Sequence, residues 1–209
     1  MFLGHFAVGL AASRAEPRLR PGTAFLAAQL PDAIWPYLLL AGAETVAIEP
    51  GVTAVTPLRF ESYPWSHSLA MVLVWAVVAA AAYRFRGGTP RGALLVAALV
   101  ASHWLLDAAS HRPDVPLWPG SDRVVGLGLW YSRPWTLAVE LGLFAAGVAV
   151  YARGRDVGRG FWILAATLVL VYLGNVFGPP PPSVAAMALS MVVVVPLLWW
   201  WGNRVAAAA

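Results

Sequence analysis

Long apolar segments follow one another along almost the whole chain, separated by short polar or proline-rich stretches. Several of them approach the ~20 residues that a helix needs to cross the hydrocarbon core of a membrane. Hydrophobic residues make up 60% of the sequence and charged residues only 11%, whereas a soluble domain has about 25% charged residues. The sequence therefore predicts an integral membrane protein.

These segments predict an all-α, polytopic bundle of about seven helices in one transmembrane domain over residues 1–209. The predicted spans are approximately residues 2–13, 21–43, 64–83, 92–110, 134–152, 160–177 and 184–202. The first has about half the length needed to span, so we interpret it as a short helix that is retained. The second contains Pro31 and Pro36, which free carbonyl groups that neighbouring helices or a cavity must satisfy.

The arginines orient this bundle in the membrane. If the helices alternate in direction, ten of the fourteen basic residues fall on one side: Arg14, Arg18, Arg20, Arg84, Arg86, Arg91, Arg153, Arg155, Arg159 and Arg204. The positive-inside rule makes this the cytoplasmic side of a bacterial inner membrane. Because membrane topology accounts for the spread of the arginines, the net charge of +4 does not call for a nucleic-acid partner.

One apolar segment carries two of the four histidines and an acid, within Ser102–His111. In a helix, His103 and Asp107 lie four residues apart on one face. His111 lies eight residues from His103, ~12 Å along the axis, which is too far to share one ion on a rigid helix. The chain has no cysteine, so any metal must be held by His, Asp, Glu or backbone oxygen. We expect His103 and Asp107 to be metal ligands and His111 to bind substrate or orient another residue.

Six ionisable side chains inside the predicted spans fall at one depth. Counting 1.5 Å per residue from the cytoplasmic arginines places them ~14 to ~26 Å above the cytoplasmic side. They are His5, Asp32, His67, His103, Asp107 and Glu140. Such groups are costly in a membrane, face the bundle interior and mark functional sites. The sequence thus predicts a site in the middle to outer part of the membrane.

Each residue also has a structural interpretation. Asp32 can accept hydrogen bonds around the Pro31 kink, and Glu140 can pair with an arginine such as Arg133. His111 can be a polar residue beside a loop. Serines are ordinary in membrane spans, so those before His67 and His103 can serve in capping or packing.

Four short motifs occur in a fixed order over about the first 110 residues. They are His5 followed by Gly9, Leu30-Pro31-Asp32, Ser66-His67-Ser68-Leu69 and Ser102-His103-Trp104-Leu105-Leu106-Asp107. The pattern resembles the bacterial inner-membrane family described as metal-dependent hydrolases and also labelled LexA-binding. That family is similar in its His/Asp motifs to zinc-dependent phospholipase C, which implies a lipid or phosphoester substrate.

The chain departs from the family pattern at two places. Ile34 stands where the family often has a second acid, and Ser62-Tyr63-Pro64 stands where a His-Arg-Gly sequence is usual. These departures weaken the case for a second metal ion.

We therefore hypothesise that His5, His67, His103 and Asp107 hold one zinc ion or another divalent metal. Asp32, Glu140 and Asp107 are the candidate catalytic residues, with Asp32 or Glu140 as a further ligand, an orienting residue or the general base. The candidate substrate-binding residues are Ser66, Ser102, His111 and Arg112. A lipid from the outer leaflet could enter between helices, with Arg112, Arg123 or Arg133 meeting its headgroup phosphate.

Two other classes of protein remain open at this point. A proton- or cation-coupled transporter could use the same buried acids and histidines, although the inner halves of the spans are almost wholly apolar. A non-catalytic membrane protein could use the metal to staple its helices together.

Overall fold

The structure is a computed structural model that describes residues 1–207. It confirms the prediction of an all-α membrane bundle. The α-helices in the described part of the chain are α1 (Leu3–Ala15), α2 (Pro21–Ala28), α3 (Leu30–Leu40), α4 (Pro64–His67), α5 (Leu69–Phe85), α6 (Pro90–Ser110), α7 (Arg133–Ala152), α8 (Arg159–Phe177) and α9 (Val184–Ala207). A single 3₁₀ turn, Leu129–Tyr131, precedes α7.

Four of these helices are long and apolar enough to cross a membrane. They are Pro90–Ser110, Arg133–Ala152, Arg159–Phe177 and Val184–Val205. The apolar helix α5 is somewhat shorter, at 17 residues. From residue 90 onward, the helix bounds lie within a few residues of the predicted apolar segments, because long apolar runs identify membrane helices well.

Two of the predicted spans are divided rather than continuous. The expected helix over residues 21–43 breaks at Gln29, whose backbone (φ −112°, ψ 19°) is not helical. Pro31 then lies in the first turn of α3, where proline costs no hydrogen bond. The expected helix over residues 64–83 breaks at Ser68, which is extended and caps α5 by accepting a hydrogen bond from the Met71 N–H. These two breaks lie beside Asp32 and His67.

Short β-hairpins occupy two connections that the sequence analysis described only as loops. Strand β1 (Thr45–Ile48) pairs antiparallel with β2 (Leu58–Ser62) between α3 and α4. Strand β3 (Val115–Pro116) pairs antiparallel with β4 (Val124–Val125) between α6 and α7. The first hairpin packs on the bundle through a small apolar cluster that includes Trp35, Val46 and Tyr63.

The short helix α1 is buried inside the bundle. Leu3, Phe6 and Leu10 are almost fully buried in a core shared with α7 and α8, while Ala12 belongs to a second core with α2, α5 and α6. A Cβ atom added to Gly147 of α7 would lie 2.7 Å from the Cα of Ala7, so α1 and α7 meet backbone to backbone. This close packing places His5 at the centre of the protein.

Candidate metal centre

Three helices bring the four predicted metal ligands together. His5 comes from α1, His67 from α4, and His103 and Asp107 from consecutive turns of α6. All four are buried, with exposed fractions of 3% or less. Asp32, from the first turn of α3, joins them with a side chain that is 28% exposed.

The carboxylate of Asp107 lies among the imidazole rings. Its Oδ2 is 2.9 Å from His103 Nε2 and 3.9 Å from His67 Nε2, and its Oδ1 is 3.3 Å from His5 Nε2. Asp32 Oδ1 lies 3.3 Å from His67 Nε2 and 3.9 Å from His103 Nε2. Ligand atoms from five residues therefore lie close together, and two overlapping trios, His5/His103/Asp107 and Asp32/His67/His103, could each hold a metal ion.

The orientation of His103 fits a metal ligand. Its Nδ1 lies 2.8 Å from the carbonyl oxygen of Ala28 on α2; because a carbonyl only accepts, Nδ1 carries the proton and Nε2 keeps a lone pair. Although Nε2 is 2.9 Å from Asp107 Oδ2, it is buried without a hydrogen-bond partner. In the neutral ring, the Nε2 lone pair and the carboxylate oxygen repel each other at that distance, and a cation between them would relieve the repulsion.

His67 has the same tautomer as His103, but a serine hydroxyl fixes it instead of a carbonyl group. Ser66 Oγ lies 2.6 Å from Glu44 Oε2 and 2.7 Å from His67 Nδ1. The Glu44 carboxylate accepts from the hydroxyl, and the hydroxyl oxygen then accepts from the Nδ1–H of His67. The Nε2 lone pair of His67 is thereby directed at Asp32. Metal-binding histidines are commonly oriented through such outer hydrogen bonds.

Glu44 was missed by the sequence analysis. It is 2% exposed and also accepts from the main-chain N–H groups of Trp65 (2.7 Å) and Ser66 (2.9 Å). It thus fixes the first turn of α4 as well as the ring of His67. Glu44 lies 22 residues before Ser66, in a stretch of mixed polarity, so no spacing rule connects the two.

Glu140 contacts the beginning of α1. Its Oε2 accepts from the N–H of Phe2 at 2.9 Å and of Gly4 at 3.2 Å, groups that have no partner within the helix. Nearby, the nitrogen of Met1 lies 2.6 Å from Asp107 Oδ1. Glu140 does not pair with Arg133, which instead donates to the carbonyl oxygen of Ala54.

His111 lies at the edge of the cluster. It follows the last residue of α6 with an extended backbone (φ −66°, ψ 154°). Its Nε2 lies 3.9 Å from Oδ2 of Asp107, four residues earlier. On the other side of its ring, Nδ1 lies 3.1 Å from Asp114 Oδ1. The rings of Phe60 and Trp130 pack against it at centroid distances of 4.7 and 4.1 Å.

Asp114, in the loop after α6, forms hydrogen bonds with several neighbouring polar side chains. It accepts from Arg112 Nε at 2.8 Å and from the Tyr63 hydroxyl at 3.0 Å. Burial by itself would raise the pKa of Asp114, but the hydrogen bonds from His111, Arg112 and Tyr63 hold that pKa below its ordinary value. Arg112 is therefore held near the cluster by its ion pair with Asp114.

The two predicted substrate-binding serines are placed away from open space. Ser66 is fully buried between Glu44 and His67, where its hydroxyl orients the ring. Ser102 donates to the carbonyl oxygen of Leu99 in its own helix at 2.7 Å and does not touch the cluster. Their role in substrate binding stays a prediction, and the geometry offers an orienting role for Ser66 instead.

A cavity of about 650 Å³ opens beside the cluster. Its polar lining includes five of the residues singled out from the sequence: Asp32, His67, Asp107, His111 and Glu140. Much of the remaining wall comes from α8, α9, the loop within the first hairpin and the proline-rich turn at residues 179–181. The cluster is thus accessible to a molecule larger than water.

No curated protein and no solved structure matches the chain. A family model described as YdjM inner membrane protein matches residues 1–178, which include α1 to α8 and every residue of the cluster. This agrees with the resemblance carried by the four motifs, and the four membrane-length helices fit an inner membrane protein. The chain therefore belongs to the YdjM inner membrane protein family.

Proposed function

We propose that this protein is a membrane-embedded, zinc-dependent hydrolase that acts on a lipid or phosphoester in the outer half of the inner membrane. The observation that carries the proposal is the buried Nε2 of His103, which faces Asp107 Oδ2 at 2.9 Å without a hydrogen bond. A divalent cation between these atoms would relieve the repulsion. The adjoining cavity supports a site that reacts with a substrate rather than a closed structural site.

The donor set suits zinc. Neutral imidazole nitrogens and carboxylate oxygens are typical zinc ligands, and His5, His67, His103 and Asp107 supply four of them. When bound, the ion supplies Lewis-acid chemistry for hydrolysis. The outer hydrogen bonds of His67 and His103 hold both rings with their Nε2 atoms toward the centre.

Asp32 is the best-placed proton acceptor. It lines the cavity and is the most exposed member of the cluster, so its carboxylate can reach a water molecule there. In hydrolysis of a phosphoester, the water oxygen bonds to phosphorus while the bond from phosphorus to the leaving oxygen breaks. Asp32 takes one proton from the water and then gives it to the leaving oxygen, which departs as an alcohol.

Glu140 and His111 have supporting parts in this proposal. Glu140 uses its carboxylate to hold the first turn of α1 and so places His5. His111 stands in the cavity wall between the cluster and the loops; its Nδ1 is hydrogen-bonded to Asp114, and its Nε2 can accept a hydrogen bond from a substrate or a water molecule. The position of the hairpins opposite the ten cytoplasmic arginines supports access from the outer side.

The first test is the metal content of detergent-purified protein, measured by plasma mass spectrometry. We expect about one zinc ion per chain in the wild type and its loss in the His67→Ala, His103→Ala double variant, because two of the four ligands are removed. Ser102→Ala, which alters only a hydrogen bond within α6, should keep the metal. Absence of zinc and other divalent metals from wild-type protein purified without chelator would refute the proposal.

The second test is turnover. Zinc-loaded wild type should hydrolyse a chromogenic phosphodiester or a phospholipid in mixed micelles, and the double variant should not. Asp32→Asn should keep zinc yet lose most turnover, since an amide cannot accept the proton. A zinc-containing wild type that hydrolyses neither substrate would instead favour a structural metal, and the proposal of catalysis would fail.

A further inference from the structure

One face of α9 forms part of the cavity wall. Its lining residues are Met187, Ser190, Met191, Val194, Val195 and Leu198. Successive residues of this set are alternately three and one positions apart in the sequence, so they lie on a single stripe of the helix. The stripe is apolar except for one serine and extends over ~16 Å at 1.5 Å per residue.

The rest of the cavity lining contains both polar and apolar groups. Asp32, His67 and Asp107 contribute carboxylate and imidazole groups. Val171 and Val176 of α8 add to the apolar lining. A small water-soluble phosphoester would occupy only the polar part and leave the apolar stripe unpaired, which is unfavourable.

We propose that the α9 stripe binds the acyl chain of a phospholipid whose phosphate group lies at the His/Asp cluster. This inference rests on the proposed function, since it places the reacting phosphate at the same residues. It adds the class of substrate, an amphiphile with a long apolar chain and an anionic headgroup, and it assigns a separate binding site for the chain.

One basic side chain at the cavity can pair with such a headgroup. Arg133 is the one arginine among the cavity-lining residues in the described part of the chain. Its Nε and one Nη donate to the Ala54 carbonyl oxygen at 3.0 and 2.7 Å, which fixes the guanidinium group while its remaining N–H donors stay available. A phosphate oxygen is a preferred acceptor for such donors.

The location of α9 supplies the route for an acyl chain. Residues Val184–Val205 form a helix long and apolar enough to cross the membrane, so the stripe lies at hydrocarbon depth. A lipid chain could therefore move into the cavity from the bilayer without passing through water. The family match ends at residue 178, before α9 begins, so the proposed chain-binding wall and the metal cluster belong to different parts of the sequence.

The test compares hydrolysis of a long-chain (dioleoyl) and a short-chain (dihexanoyl) phospholipid by the zinc-loaded protein in the same detergent. In Val194→Trp, the indole fills part of the stripe. We expect kcat/KM for the long-chain substrate to fall by about tenfold or more, while kcat/KM for the short-chain substrate stays within about twofold. Val193→Trp is the matched control, because Val193 is 65% exposed and does not line the cavity.

Binding gives a second readout that does not depend on turnover. A non-hydrolysable phosphonate analogue of the long-chain lipid should bind more weakly to Val194→Trp, and to the smaller change Met191→Phe, than to wild type. Equal losses for long and short substrates, or unchanged binding of the long-chain analogue by both folded variants, would overturn the inference. If wild-type protein contained no zinc, or did not hydrolyse the short-chain substrate, the proposed function itself would be refuted.

Discussion

The hydroxyl oxygen of Ser66 lies 2.7 Å from Nδ1 of His67, and the same oxygen is 2.6 Å from a carboxylate oxygen of Glu44. Since the carboxylate can only accept, the direction of both hydrogen bonds is fixed, and the free lone pair of the imidazole lies on Nε2. Glu44, in the loop after α3, thus determines which ring nitrogen of His67 on α4 is available to a metal.

Removal of this hydroxyl should weaken metal binding without removing a ligand. We expect Ser66→Ala to lower zinc affinity by about 10- to 100-fold, because the His67 ring loses the group that orients it. Competition with a chromophoric chelator measures this affinity, and Ser66→Thr, which restores a hydroxyl, should recover part of it. Ser102→Ala is the control. Wild-type zinc affinity in Ser66→Ala would show that the hydroxyl does not orient the ligand.

Glu140 offers a test that separates positioning from catalysis. Glu140→Gln keeps a side-chain oxygen for the N–H groups of Phe2 and Gly4, so we expect zinc content and most turnover to remain. Glu140→Leu leaves those buried N–H groups without an acceptor and should cost about 1–3 kcal/mol of stability and displace His5. The checks are thermal unfolding in detergent and metal analysis. A Glu140→Gln variant with full zinc and no turnover would make Glu140 the general base.

The contact between α1 and α7 should leave no room for a side chain at Gly147. A Cβ on Gly147 would meet the Cα of Ala7 at 2.7 Å, so Gly147→Ala should destabilise the protein by about 1–3 kcal/mol and lower its zinc content by shifting His5. The matched control is Gly142→Ala in the same helix, where a Cβ meets nothing within 4 Å. Alanine there should raise stability, by up to about 1 kcal/mol from helix propensity. Equal unfolding temperatures for the two variants would contradict the close packing.

Asp114 should make stability depend on pH. Its lowered pKa in the folded protein means that its contribution to stability is present above the unfolded value of about 3.9 and is lost as pH falls through the folded value. We expect wild type to exceed Asp114→Asn in stability by about 1–2 kcal/mol at neutral pH, and the difference to shrink below about pH 4. Thermal unfolding of both proteins across this range measures it. A difference that stays constant down to the lowest pH would argue against the ionised carboxylate as its source.

Much of the candidate site could be predicted from local spacing and depth. His103 and Asp107 are four residues apart in one helix, and the membrane imposes a common scale on which His5, Asp32 and His67 fall at the same level. The structure brings these residues together, as expected. His111 Nε2 lies 3.9 Å from Asp107 Oδ2, as their four-residue spacing allows, and it lies at the edge of the cluster.

The sequence by itself determined the membrane class, the long apolar helices and the depth of the ionisable residues, because hydropathy and helical rise act along the chain. Only the tertiary structure decided which groups orient the ligands. Glu44, the Ala28 carbonyl and the wall formed by α9 are distant in sequence from the residues they serve. Their positions follow from helix breaks at Gln29 and Ser68 and from close packing between helices, and these depend on three-dimensional fit rather than on any period in the sequence.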